Sequence, residues 1–174
     1  MSNFLGKIMA TGTLTALTGL GVRDAFLDSA SITQEIKDNI ELEWTEVKFE
    51  TAINRVKGTA LDGSLRQVER VPAGARFGLE FIYNVFGPED IKRLRLVFIA
   101  LELLEHDYLG GMGSRGYGRV RIDDLALYCN TRSDYESGHV EAAAERRLNP
   151  GLATPAAVVQ AFEQIQGKIG EALG

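Results

Sequence analysis

The segment "LGGMGSRGYGRVRI", residues 109–122, places glycines at 110, 111, 113, 116 and 118, with Arg115, Arg119 and Arg121 among and beside them. Glycine gives up more conformational freedom on folding than any other residue, so a run this dense implies that something approaches the backbone closely. Gly111, Gly113 and Gly116 satisfy the spacing GxGxxG. That fingerprint binds a dinucleotide only when a strand precedes the glycines and a helix follows, and here the hydrophobic pattern gives the reverse order. No Lys-Ser or Lys-Thr pair follows the glycines, which excludes a Walker-type loop. What remains is a backbone-rich surface with Ser114, Arg115 and Arg119 as donors to phosphate and Tyr117 as a ring for stacking. A plain turn would need one or two glycines, so the sequence favours a loop that binds a polyanion.

A second group of cations lies in "SLRQVERVPAGAR", where Arg66, Arg70 and Arg76 join Lys48 and Arg55 around residues 48–72. Alone they read as a solvated surface; beside a polyanion-binding loop they read as a phosphate track. Asp24 and the pair His106-Asp107 have the chemistry of general acids and bases. Neither has an identifiable nucleophile or partner, so they read as a strand-start aspartate and a polar helix end.

The 174 residues suffice for one domain with a proper core, and 45% hydrophobic with 25% charged residues is ordinary globular composition. No apolar run approaches a membrane span, and the N-terminal segment, broken by Lys7 and by threonines, reads as a strand rather than a signal sequence. A cytoplasmic location is expected. Cys129 is the single cysteine and His106 and His139 the only histidines, which excludes an internal disulfide and a cysteine-based zinc site. The net charge of −5 argues against uniform basic coating of nucleic acid, leaving a local basic track on an acidic body.

The elements that must carry these residues follow from periodicity. Residues 7–17 alternate as a half-buried strand, 32–40 suit a short helix, and 41–50 suit a strand with a bulge after Trp44. Residues 51–72 read as a protruding hairpin with a turn at "LDGS", and 76–86 as one continuous strand with Phe77, Leu79, Phe81, Tyr83 and Val85 on one face. Pro88, Glu89 and Asp90 open a helix with Ile91, Leu94, Phe98 and Leu101 at helical spacing. After the glycine loop, residues 117–128 read as the last strand, with Val120 and Ile122 inward and Arg119 and Arg121 outward. Thr154 and Pro155 start a final helix with an apolar stripe of Val158, Phe162, Ile165, Ile169 and Leu173. Antiparallel strands with helices on one face make an α+β fold, and a helix followed by a returning strand suits a ferredoxin-like or RRM-like sheet.

In that order, "GKIMATGTLTALTGL", "GVRDAFL", "TEVKFETAINRV", "LRQVERVPAGARFGLEFIYNV" and "LGGMGSRGYGRVRI" resemble segments of the RAMP superfamily of CRISPR proteins, closest to the backbone subunit of type III Csm-type effector complexes. The resemblance spans most of residues 5–125, and the glycine loop with "ERVPAGARF" makes it specific. It implies a single domain over 1–174: an RRM-like palm with a thumb hairpin at about residues 48–72 and a C-terminal helix. It implies that Gly110, Gly111, Met112, Gly113, Ser114, Arg115, Gly116, Tyr117, Gly118 and Arg119 touch CRISPR RNA, and that Lys48, Asn54, Arg55, Arg66 and Arg70 lie in the thumb beside the guide and target RNA duplex. The implied partners are both RNAs, copies of the chain in a helical filament and the other type III subunits, with no membrane.

The family carries a long segment after "LTGL", including the aspartate that cuts target RNA with a divalent metal, Mg by the resemblance; here Leu20 runs through Gly21 into Val22. A segment is therefore expected to be missing at the Leu20/Gly21 junction, no catalytic or metal-ligating residue is assigned, and Asp24 sits in a different segment from the cleaving aspartate. A divalent metal is implied only if the family's cleavage site is present. The residues alone leave two alternatives: a nucleotide- or phosphate-binding enzyme on a ferredoxin-like sheet, and a protein-interaction module without RNA contacts.

Overall fold

The computed structural model describes residues 19–138, 140 and 146–173. The strand expected over residues 7–17, and His139, lie outside them. The chain divides into two compact units, one holding the described residues 21–82 and the other residues 19–20 and 83–173. Helices and antiparallel strand pairs make the mixed α+β content that the periodicity indicates.

β1 (Leu20–Val22) pairs with β8 (Phe81–Tyr83), and in the first unit β2 (Phe26–Asp28) pairs with β7 (Arg76–Gly78) in the register Phe26↔Gly78 to Asp28↔Arg76. The single strand expected over 76–86 is thus two. The break at Leu79–Glu80 falls opposite the break at residues 23–25 between β1 and β2, so both sides of the ladder are interrupted together. Asp28 then accepts from Ala30 N at 3.0 Å to start a 3-10 turn, and Thr33 Oγ1 accepts from Ile36 N at 3.3 Å, capping α1 (Gln34–Asp38). Ile32, between them, is buried.

The strand expected from residue 41 begins only at β3 (Glu46–Glu50). Leu42 N bonds Thr45 O at 3.3 Å, and the Glu41 carboxylate accepts from Val47 N at 2.9 Å, which folds residues 41–45 into a bend and holds the Glu41 carboxyl below its usual range. β3 pairs with β6 (Arg66–Arg70) in unbroken register, Glu46↔Arg70 to Glu50↔Arg66, so the bulge expected after Trp44 is replaced by this bend. Beyond this ladder β4 (Ile53–Asn54) pairs with β5 (Thr59–Ala60), and Ser64 N bonds Leu61 O at 3.1 Å in the "LDGS" turn.

In the second unit, α2 (Pro88–His106) starts as its sequence indicates: Pro88 leads, and the Asp90 carboxylate reaches back to the N–H of Gly87 at 3.0 Å. Its buried Val97, Phe98 and Leu101 face α4 (Pro155–Gln160) and α5 (Phe162–Leu173), which pack on it. The Phe98 and Phe162 rings meet at 6.4 Å between centroids, tilted by 48°. The final helix is interrupted at Ala161, yet Val158, Phe162, Ile165 and Ile169 form the buried stripe, while Leu173 is 41% exposed. A short helix that the periodicity missed, α3 (Arg132–Ser137), is framed by a capping box between Thr131 and Asp134 and by left-handed Gly138.

Among the described residues, the strand expected over 117–128 has one bridge, Tyr128↔Arg147. Its exposure still alternates as expected, with Val120 and Ile122 half-buried and Arg119 and Arg121 exposed. Fully buried Asn149 ties it down: its side chain accepts from Leu127 N at 2.8 Å and donates to Leu125 O and Leu152 O at 3.0 and 2.7 Å. No helix among the described residues is long and apolar enough to cross a membrane.

Candidate nucleic-acid interface

The glycine loop leaves the end of α2 and is closed on itself, because Leu109 N donates to Gly118 O at 2.8 Å. Inside this closure, residues 113–115 form one 3-10 turn, with Arg115 N bonding Met112 O and Gly116 N bonding Gly113 O, both at 2.9 Å. The Glu105 carboxylate, on the last turn of α2, accepts from Ile122 N at 2.6 Å and fixes the segment that leaves the loop. Sequence reasoning missed Glu105, since nothing local marks a carboxylate that bonds a backbone seventeen residues on.

The glycines have causes of two kinds. A Cβ on Gly113 would strike the Tyr108 ring, and one on Gly118 would strike the Leu109 carbonyl, at a position whose φ of +76° already favours glycine. Gly110 and Gly116 also sit at positive φ. Gly111 alone has neither a positive φ nor an atom within 4 Å of the Cβ it lacks. The density of glycines is therefore set largely by the loop's own closure, and the inference from five glycines to a ligand narrows to Gly111 and its surroundings. Met112 takes the left-handed conformation at φ 62°, uncommon for a residue with a side chain and a mark of strain.

The outer surface of the loop is cationic: Ser114, Arg115 and Arg119 are exposed, followed by Arg121 on the same side of the alternating segment as Arg119. Tyr117, expected to offer its ring for stacking, is 9% exposed. Its ring is packed inside the unit, so the phosphate-binding half of the expectation keeps its residues while the stacking half loses its ring.

In the first unit, the hairpin built from β3–β6 carries the second cationic group. Glu50 pairs with Arg66 at 3.0 Å and Glu46 pairs with Arg70, each across the ladder between residues in direct register. Arg66 and Arg70 are therefore held by carboxylates. The signal was in the sequence: Glu46 and Glu50 repeat the four-residue spacing of Arg66 and Arg70 on two strands that pair antiparallel. Lys48 lies between them opposite Val68 and is half-buried. Asn54 shapes the tip, accepting from Val56 N and Lys57 N at 3.0 and 3.2 Å, and Arg55 is exposed beside Val56, which is 96% exposed.

The groups with acid or base chemistry take structural places. His106 closes α2, its Nδ1 lying 2.8 Å from Glu102 O, and Asp24 is exposed between β1 and β2. Among the described residues no three His, Cys, Asp or Glu side chains come together to hold a metal ion. Burial pushes the thiol of half-buried Cys129 upward.

A family model, that of the RAMP superfamily, matches residues 20–121, more than half of the chain. The chain is 38% identical over 115 residues to the CRISPR system Cms endoribonuclease Csm3 of Methanocaldococcus jannaschii, covering 66% of this chain and 44% of that protein. It is 45% identical over 107 residues to the protein of the same name from Enterococcus italicus, covering 59% and 46%, and 37% identical over 106 residues to that of Methanothermobacter thermautotrophicus, covering 61% and 42%. The chain thus spans less than half the length of these relatives.

Proposed function

The chain belongs to the RAMP superfamily, and on that premise we propose that it is a CRISPR RNA-binding backbone subunit of a type III effector complex. The single observation that carries this reading is the closed glycine loop at residues 109–118 with exposed Arg115 and Arg119 at its edge. A backbone with little side-chain cover beside exposed cations suits the sugar-phosphate backbone of RNA, whose affinity comes from charge and fit rather than base identity. Target choice is then left to guide pairing, as in other RNA-guided effectors.

In this reading the strands form an RRM-like palm within a single domain, several copies line one guide RNA in a filament with the other type III subunits, and residues 48–72 are the thumb. Arg55 at the tip is the thumb's exposed cation. Arg66 and Arg70, paired with Glu50 and Glu46, stiffen the hairpin and share their charge with any phosphate they meet. The proposal is for binding. By the resemblance, cleavage and its divalent metal would belong to a segment that this chain would need between Leu20 and Gly21. Intact-mass measurement of the natural protein tests that junction.

The function is tested by purifying the tagged chain from its own cells. RNA of uniform length and a raised A260/A280 ratio are expected to accompany it; an RNA-free monomer that binds a nucleotide instead would overturn the assignment.

A further inference from the structure

C-terminal to the residues that the family model matches, the second unit holds a cavity of about 520 Å³ lined by Cys129, Thr131, Asp134, Arg146, Arg147 and Lys168, with Leu148 and Ala172. Its volume is within the range of small-ligand sites, roughly 300–1,000 Å³. Among the described residues its lining holds three cations, Arg146, Arg147 and Lys168, against one carboxylate, Asp134. Arg146 pairs with Asp134 at 2.6 Å. Arg147 bonds only neutral oxygens, Asn149 Oδ1 at 3.2 Å and Leu125 O at 2.5 Å, and Lys168 Nζ bonds Leu148 O at 3.0 Å. Neither has a carboxylate partner among the described residues. Carbonyl oxygens orient these two cations without cancelling their charge, and both keep N–H groups for a further acceptor.

We propose that this cavity is a binding site for a phosphate monoester, its dianion seated between Arg147 and Lys168. Among the described residues these two positive charges have no carboxylate partner, and together they match the roughly −1.5 to −2 of a monoester near neutral pH, whereas each phosphodiester of an RNA strand carries one. The remaining volume, walled by Leu148 and Ala172, accommodates the group that the phosphate esterifies. The same chemistry is offered by the terminal phosphate of an RNA and by a free mononucleotide. Asn149 preorganises the site by holding both Arg147 and the 125–127 backbone that Arg147 also grips.

The test is calorimetric titration of the full chain with inorganic phosphate and with AMP, at constant ionic strength against chloride. Saturable binding is expected, weakened about tenfold or more by Lys168→Glu and retained by Lys168→Arg. Lys168 is exposed on α5, so both variants should keep the Tm of the unliganded protein. A second readout is built in, because Cys129 is the chain's single thiol and lines the cavity: AMP should slow its alkylation by iodoacetamide in the parent protein and not in Lys168→Glu. An oligonucleotide with a terminal phosphate, compared with its dephosphorylated form, separates the sources. A preference for the phosphorylated end lost in Lys168→Glu assigns the site to RNA ends, and equal binding of both, with AMP bound, assigns it to free nucleotides. Absence of phosphate and AMP binding, or binding unchanged by Lys168→Glu, overturns the proposal, and it does so without touching the binding of unphosphorylated RNA on which the functional reading stands.

Discussion

Two glycines of one loop should respond to the same substitution in opposite ways. Gly118→Ala puts a Cβ against the Leu109 carbonyl at φ +76° and disturbs the bond from Leu109 N that closes the loop. The left-handed conformation costs a non-glycine residue about 1–2 kcal/mol and the weakened hydrogen bond about 1 kcal/mol more, so the sum is about 2–3 kcal/mol. For a chain of this length that lowers Tm by about 4–12 °C. Gly111→Ala meets open space at an ordinary φ and should leave stability within about 0.5 kcal/mol. If RNA approaches the loop here, Gly111→Ala nonetheless weakens RNA binding, since the new methyl stands where the ligand would. Differential scanning fluorimetry supplies the first comparison and fluorescence anisotropy with a labelled RNA the second. A Gly118→Ala variant as stable as the parent, or a Gly111→Ala variant as destabilised as Gly118→Ala, would refute the division of the loop into closure and contact.

The cross-strand pair Glu50–Arg66 should show a coupling of about 0.5–1 kcal/mol in a double-mutant cycle of Glu50→Ala and Arg66→Ala followed by urea unfolding, and a zero coupling would remove the pair from the hairpin's stability. Truncating Phe162→Ala deletes a ring buried against Phe98 and should destabilise by about 3–5 kcal/mol in the same assay, with a loss under 1 kcal/mol contradicting the packing of α5 on α2. Asp134 is held at about 2, below its ordinary 3.8, first by the N–H and hydroxyl of Thr131 and then by Arg146. Its folded value being depressed, the stability it contributes is fully present above pH 4 to 5 and is lost as pH falls toward 2, so Asp134→Asn should flatten the decline of Tm across that window; an unchanged decline would mean that the cap does not titrate with unfolding.

Helix α2 was legible because Pro88, Glu89 and Asp90 act within one turn of themselves, and the stripe from Val158 to Ile169 because helical spacing needs only one partner face. The 76–86 segment was legible as alternating but not as two strands, since alternation names a face and says nothing of where the partner chain breaks. For α3, six residues were too few for a periodic signal, though Thr131 and Asp134 spelled its capping box. The glycine loop is legible by composition, but its cause is not: Tyr108 and the Leu109 backbone bar a side chain at Gly113 and Gly118, and Gly110 and Gly116 take positive φ, constraints visible only once the loop closes. Tyr117 reads from the sequence as a stacking ring beside the loop, and its burial depends on packing that no local pattern encodes.

The central claim, that the loop's charged edge meets an RNA backbone, is tested most directly by the salt dependence of single-stranded RNA binding in the parent and in Arg115→Ala/Arg119→Ala. Each phosphate contact on a single strand contributes about 0.7 to the slope of log K against log salt, so loss of two should reduce its magnitude by about 1.4. The affinity gap between parent and variant then narrows about sevenfold from 50 to 200 mM salt, as follows from that slope. A variant with the parent's affinity and slope would contradict the account.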